Sequence, residues 1–168
     1  MNKVFFDLEW NTGFLDGNSF DEIIEIGAVK TDEEYRQIDG FRRLIRPVIY
    51  RKMNPYIQKI LAITMKDLQG EEPLAAVAKV FFDWCGDCDT LIAWSGNDFG
   101  VLEKNLAHIG MKIPEQLGRY DVQMAYAYRT ENSIRNYALK TAVEAMELPE
   151  PEGQEYHDAY CDAQFTAA

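Results

Sequence analysis

The sequence predicts an α/β fold, a mixed five-stranded sheet flanked by helices. β-leaning runs come first, over 3–8, 23–29 and 35–45, and helical spacings then alternate with strand-like runs at 91–94 and near Tyr120. Strands first, then helices alternating with strands, indicate a sheet of mixed direction with helices on its faces. The composition agrees: 168 residues, 47% hydrophobic and 27% charged, suit one well-packed core, so a single domain over 1–168 is expected.

Each element has its own signal. Residues 3–8 are a short apolar run rich in Phe and Val, and Asn11, Thr12, Gly13, Asp16, Gly17 and Asn18 read as the loop after it. The runs at 23–29 and 35–45, joined by polar Thr31-Asp32-Glu33-Glu34, suggest a hairpin. Pro47 ends the third run, and from Asn54 onward Ile57, Ile60 and Leu61 fall on one helical face. Pro73 opens a clearer helix, in which Leu74, Val77, Ala78, Phe81 and Phe82 repeat at three- and four-residue steps. Leu91-Ile92-Ala93-Trp94 is a fourth strand. Asn97 or Asp98 then caps a helix through Leu102, Leu106 and Ile109, ending at Gly110. A strand near Tyr120, helices over 122–128 and 134–146, and a last helix from about Asp158 complete the reading.

An acid as early as Asp7 interrupts any apolar stretch that a signal peptide or membrane span would need, so a cytoplasmic protein with no membrane partner is expected. Three cysteines, an odd number, make no disulfide framework. The formal net charge of −11 argues against broad electrostatic capture of nucleic acid. Mapping the charges weakens that objection. Arg42, Arg43, Arg46, Arg51, Lys52 and Lys59 crowd one segment, and Arg119, Arg129, Arg135 and Lys140 another. Bound metal would neutralise some of the acids.

On a strand, residues two apart share a face, so Asp7 and Glu9 project together while Val4, Phe6, Leu8 and Trp10 fill the other side. Like charges inside a sheet are costly unless a cation pairs them. Asp98 follows the fourth strand at its C-terminal end, where α/β sheets commonly put their chemistry, although an acid there also suits a helix start. His157 and Asp162 are five apart and cannot share one face of a regular helix, so His157 precedes the helix or lies in its first turn. Asp158 is the rival ligand, or simply a helix-opening acid.

These residues carry a family resemblance. Phe6-Asp7-Leu8-Glu9 resembles the first motif of the DEDD superfamily of 3′-to-5′ exonucleases, and the segment from Trp94 to Leu102 is similar to the second, in the form seen in the ERI-type and KapD-like branch. His157-Asp158-Ala159-Tyr160-Cys161-Asp162-Ala163 resembles the third, whose histidine marks the DEDDh, or DnaQ-like, subgroup. The resemblance implies an RNase H-like fold and two divalent cations, Mg²⁺ or Mn²⁺, held by Asp7, Glu9, Asp98 and Asp162, with Asp7 bridging. It also implies His157 as general base, and single-stranded RNA or DNA shortened from its 3′ end to nucleoside 5′-monophosphates. Trp10 and Asn11, beside the first motif, are the candidate substrate contacts. The rings of Trp10 and Phe14 are able to stack on bases, and core packing is the other reading of both. The chain departs from the family in having Trp10 after the first motif and in stopping six residues after Asp162, which suggests a final helix cut short.

Two alternatives compete. Trp84-Cys85-Gly86-Asp87-Cys88 looks like a thiol-disulfide redox motif, but such a motif opens a helix after a strand, whereas these cysteines close a helical run. A catalytically silent nucleic-acid-binding module of the same fold is the other, and the complete set of acids counts against it.

Overall fold

The computed structural model describes residues 1–131, 136–149 and 157–168, and among them is a five-stranded sheet in the order β3-β2-β1-β4-β5. β1 (Lys3–Leu15) and β2 (Asn18–Thr31) form a long antiparallel hairpin, and β3 (Gln37–Leu44) pairs antiparallel with β2. β4 (Thr90–Ala93) and β5 (Gly118–Asp121) continue the sheet in parallel beyond β1. The mixed direction follows from the connections: short turns close the first three strands, and helical crossovers return the chain to β4 and β5.

Alternation along β1 sorts the core. Val4, Phe6 and Leu8, with Ile26 and Ala28 of β2, pack against α3 (Leu74–Cys85) and α4 (Gly96–His108) through Phe81, Phe99 and Leu102. On the other face Phe5, Val29 and Ile92 lie beneath α7 (Ala159–Ala167) and the start of α5 (Val122–Glu131). Ile24, Met53, Leu61 and Leu68 bind in α1 (Ile57–Ile60) and α2 (Met65–Leu68).

The loop expected over 11–18 is corrected. β1 runs on to Leu15, and the turn is Asp16-Gly17, with φ of 50° and 81°. Positive φ at both central residues is the geometry of a two-residue hairpin turn, for which Asp-Gly is a strong local signal. The polar residues before it are tolerated because a later segment satisfies them: the buried Asn11 amide donates to the Lys52 carbonyl at 3.0 Å and accepts from the Asn54 amide at 2.8 Å. Pairing slips between Glu9 and Trp10, which face Glu25 and Ile23, so Ile24 is an extra residue in β2. This bulge lets Ile24 join the α1–α2 cluster while Ile23 and Ile26 both stay on the α3–α4 face.

The helices also refine the sequence expectations. Ser95, rather than Asn97 or Asp98, is the N-cap of α4. The helix expected over 134–146 is α6 (Leu139–Ala145) where it is described, and its expected start at Ile134 lies outside the described residues. Among the described residues no helix is long and apolar enough to cross a membrane.

Candidate active site

β4 pairs with β1 only from Lys3 to Phe5, so Asp7 and Glu9 stand past the C-terminal end of their parallel neighbour. The chain leaving β4 turns there into α4, whose first turn carries Asp98. From the opposite side comes α7. Its approach depends on Gly27, which faces Asp7 across the hairpin: a Cβ there would lie 2.1 Å from the Tyr160 nitrogen and 2.2 Å from the Ala159 carbonyl carbon. Glycine alone lets the start of α7 cross directly over the strand, and this delivers Asp162 to the acids of β1.

Asp7, Glu9, Asp98, His157 and Asp162 therefore line one cleft of about 330 Å³. His157 stands just before Asp158, the N-cap of α7, at φ 70°, and its backbone amide donates to Asp162 Oδ2 at 3.2 Å. One ligand atom each from Glu9, His157 and Asp162 lies within 4.8 Å of the others. Asp158 is the helix-opening acid, accepting from the Cys161 amide at 3.1 Å, and it does not line the cleft.

The cleft acids all hold protons unusually tightly. Burial raises Glu9 to about 8, with Asp162, Glu25 and Asp98 adding repulsion. Burial, then Asp98, Asp162 and Glu9, pushes Asp7 well above the usual carboxylate range. Asp162 is raised by burial to about 6 although the His157 amide pulls it down. Asp98 is likewise raised by burial to about 6 against hydrogen bonds from Ser95 and backbone amides. Among the described residues Asp162 Oδ1, which is buried, has no hydrogen-bond partner. Buried carboxylates that repel one another and leave an oxygen unsatisfied form the donor set a hard divalent cation would complete.

The walls are apolar. Ile57, Ile60 and Leu61 form one side, and Trp10, Trp94 and Leu139 contribute to the others. The Trp94 ring is fixed by its indole N–H, which donates to the Tyr137 carbonyl at 3.0 Å. Trp10 both packs on the core and lines the cleft. Asn11 does not reach the cleft, because both ends of its amide are spent on the 52–54 segment. Phe14 is exposed near the hairpin tip.

Sequence reasoning missed Ser95, whose hydroxyl donates to Asp98 Oδ2 at 3.1 Å, and Glu25, a buried acid opposite Glu9. An acid in the middle of the apolar run at 23–29 was the available signal for Glu25. Part of the basic charge is engaged within the chain although exposed: Arg42 pairs with Glu25 and Asp158, Arg43 lies over the Phe41 ring, and Arg119 pairs with Glu103. Arg135 lies outside the described residues. Cys85 and Cys88 are buried at the end of α3, and burial pushes the Cys85 thiol up to about 12 and Cys88 in the same direction. That is the reverse of a reactive thiolate.

Comparison with known proteins matches this geometry. A catalogued relative, the PolC-type DNA polymerase III of Clostridium perfringens, is 34% identical over 112 residues, which is 66% of this chain and 7% of the polymerase. The chain thus spans a small fraction of that relative. The nuclease domain of 3′hExo, a DEDDh family member bound to rAMP, superposes with a TM-score of 0.82 at 18% identity, covering 99% of this chain and 88% of that one. A full-length 3′-exonuclease gives 0.85 at 17% identity, covering 99% and 78%. The fold is that of the RNase H-like exonucleases, as expected. The RNase_T exonuclease family matches residues 4–168, and the chain belongs to that family.

Proposed function

We propose that the chain acts as one metal-dependent exonuclease unit that removes nucleoside 5′-monophosphates from the 3′ end of single-stranded RNA or DNA. The observation that carries the reading is the cleft itself: four carboxylates from β1, α4 and α7, raised by burial and mutual repulsion, with the Asp162 Oδ1 oxygen unpartnered among the described residues. Asp7, Glu9, Asp98 and Asp162 would hold two cations, and oxygen donors of this kind suit Mg²⁺ or Mn²⁺. When bound, such cations supply positive charge that orients the scissile phosphate, activates water and stabilises the departing oxygen.

The chain's own residues supply the rest. His157 Nδ1 or Nε2 would take the proton of the attacking water, since imidazole is the side chain suited to proton transfer near neutral pH. Water oxygen adds to phosphorus, the bond from phosphorus to the 3′ oxygen breaks, and that oxygen leaves with the bonding pair and takes a proton from solvent to become the new 3′ hydroxyl of the shortened strand. The apolar wall of Ile57, Ile60 and Leu61 would receive the terminal nucleotide and exclude solvent, with the Trp10 ring placed to stack on a base. The similar 3′hExo domain holds rAMP, which has the chemistry of such a product.

The test is incubation of the purified protein with end-labelled single-stranded RNA and DNA in Mg²⁺, Mn²⁺ or EDTA. Shortening from the 3′ end with either cation, and none in EDTA, is expected. Cleavage that persists in EDTA, or that starts from the 5′ end, would sink the reading.

A further inference from the structure

We propose that Arg42 is a positioning residue that clamps the first turn of α7 over the acidic cleft and so sets the places of His157 and Asp162. This rests on the exonuclease reading above. Arg42 Nε donates to Glu25 Oε1 at 2.8 Å and its Nη2 donates to Asp158 Oδ2 at 2.5 Å. Glu25 is fully buried on β2, opposite Glu9, and also accepts from the Ala159 backbone amide at the start of α7. Asp158 is the N-cap of α7, and its other oxygen accepts from the Cys161 amide at 3.1 Å. One guanidinium on β3 therefore ties the interior of β2 to the cap of the helix.

What hangs from that cap is the chemistry. His157 precedes it by one residue, held at φ 70°, and Asp162 lies one turn inside the helix, its own amide donating to the Asp158 carbonyl at 2.9 Å. Other polar ties of α7 to the sheet come from β3: Gln37 Nε2 donates to the Tyr160 hydroxyl at 3.0 Å, and Gln164 Nε2 donates to Gln37 Oε1 at 3.2 Å. Gly40 lies against the Tyr160 ring. These contacts act through side chains, and at the cap itself Arg42 works beside one backbone tie, the Ala159 amide on Glu25. A planar guanidinium presents donors to two acceptors at a fixed angle, which an ammonium does not.

Position and charge make opposite predictions here. Removing a cation that pairs with Glu25 and Asp158 near the cleft would, by electrostatics alone, tighten Mn²⁺ binding, whereas letting Asp162 drift would weaken it. For Arg42→Ala we expect kcat to fall about ten- to a hundredfold with KM within about threefold. Calorimetry with Mn²⁺ alone should show affinity several-fold weaker. Hydrogen exchange at the Cys161 and Asp162 amides of the metal-free protein should quicken about tenfold or more. Arg42→Lys should fall between Arg42→Ala and the unaltered protein. In an Asp158→Asn background, where asparagine keeps the cap, removing Arg42 should cost little further rate, because the two act through one contact. If the stranded Glu25 prevents Arg42→Ala from folding, Arg42→Ala with Glu25→Gln carries the same expectations.

Unchanged kcat, Mn²⁺ binding that tightens, or full additivity with Asp158→Asn would each overturn the clamp. Should the unaltered protein cleave no nucleic acid, the exonuclease reading fails separately. The exchange rates then decide the clamp alone, unchanged rates refuting it and quickened rates supporting it.

Discussion

His157 illustrates how much one residue's backbone decides. A histidine at φ 70° occupies a region that non-glycine residues enter at a cost, and here the cost is borne one residue before a helix cap, beside Glu9 and Asp162. A ring nitrogen that close to two carboxylates fits either a base or a ligand, and the two roles separate by experiment. His157→Ala should slow single-turnover cleavage by about a hundred- to ten-thousandfold while leaving Mn²⁺ affinity nearly unchanged, and higher pH should restore part of the rate. If calorimetry shows Mn²⁺ binding weakened as much as by Asp162→Ala, the histidine is a ligand and the base role must be abandoned. Asp7 gives the complementary case, because its carboxylate is pressed by Asp98, Asp162 and Glu9 at once. Asp7→Asn should abolish turnover by about a thousandfold or more and yet raise the melting temperature of the metal-free protein at pH 8 by a few degrees, about 1 to 3 kcal/mol of relieved repulsion. A variant that is inactive and also less stable in EDTA would count against that account of the cleft.

At the scale of elements, the site is made where α7 crosses β2. Gly27→Ala would force a methyl against the Ala159 and Tyr160 backbone at 2.1 to 2.5 Å, a collision with main chain that no rotamer relieves. Overpacking of this kind costs about 1 to 3 kcal/mol or more, so denaturant unfolding should show a loss of that size together with loss of cleavage. Normal stability with normal activity would mean that α7 is seated otherwise. That crossing also marks where the sequence stops being legible. Local periodicity was enough for the apolar strands, for α3 with its Val77 and Phe81 spacing, and for Asp7 and Glu9 on one face, because each is a relation between near neighbours. The offset of five between His157 and Asp162 likewise required the histidine to precede the helix or lie in its first turn, and it precedes the helix. The extension of β1 through Asn11 was hidden, since its polar side chains are satisfied by residues some forty positions later. So was Arg42, a charge on a strand that looks solvated until β2 and α7 are placed beside it. The Asp16-Gly17 turn carries a local signal, but the polar residues before it merged it into a longer expected loop over 11–18.

For the molecule as a whole, a formal charge of −11 is less important than where the acids sit. Exposed acids such as Asp32, Asp39 and Asp67 are lowered by hydrogen bonds, so their contribution is already complete above about pH 5. The cleft acids run the other way. Their protons are held more tightly folded than unfolded, so the stability they contribute is fully present below the unfolded value of about 4 and is lost as pH rises through the folded values. Those are about 6 for Asp98 and Asp162 and about 8 for Glu9, which puts the decline between about pH 4 and pH 8. In EDTA the melting temperature should therefore fall across that range, by on the order of 10 °C. Adding Mn²⁺ or Mg²⁺ at pH 8 to 9 should recover several degrees, because a cation then neutralises the carboxylates that proton loss has left facing one another. With Glu9→Gln the upper part of the decline should flatten, since the group titrating near 8 is gone. A melting temperature that stays level or rises from about pH 4 to pH 8 in EDTA would show that the cleft acids are not strained against one another, and the case for a metal-dependent site would lose its physical basis.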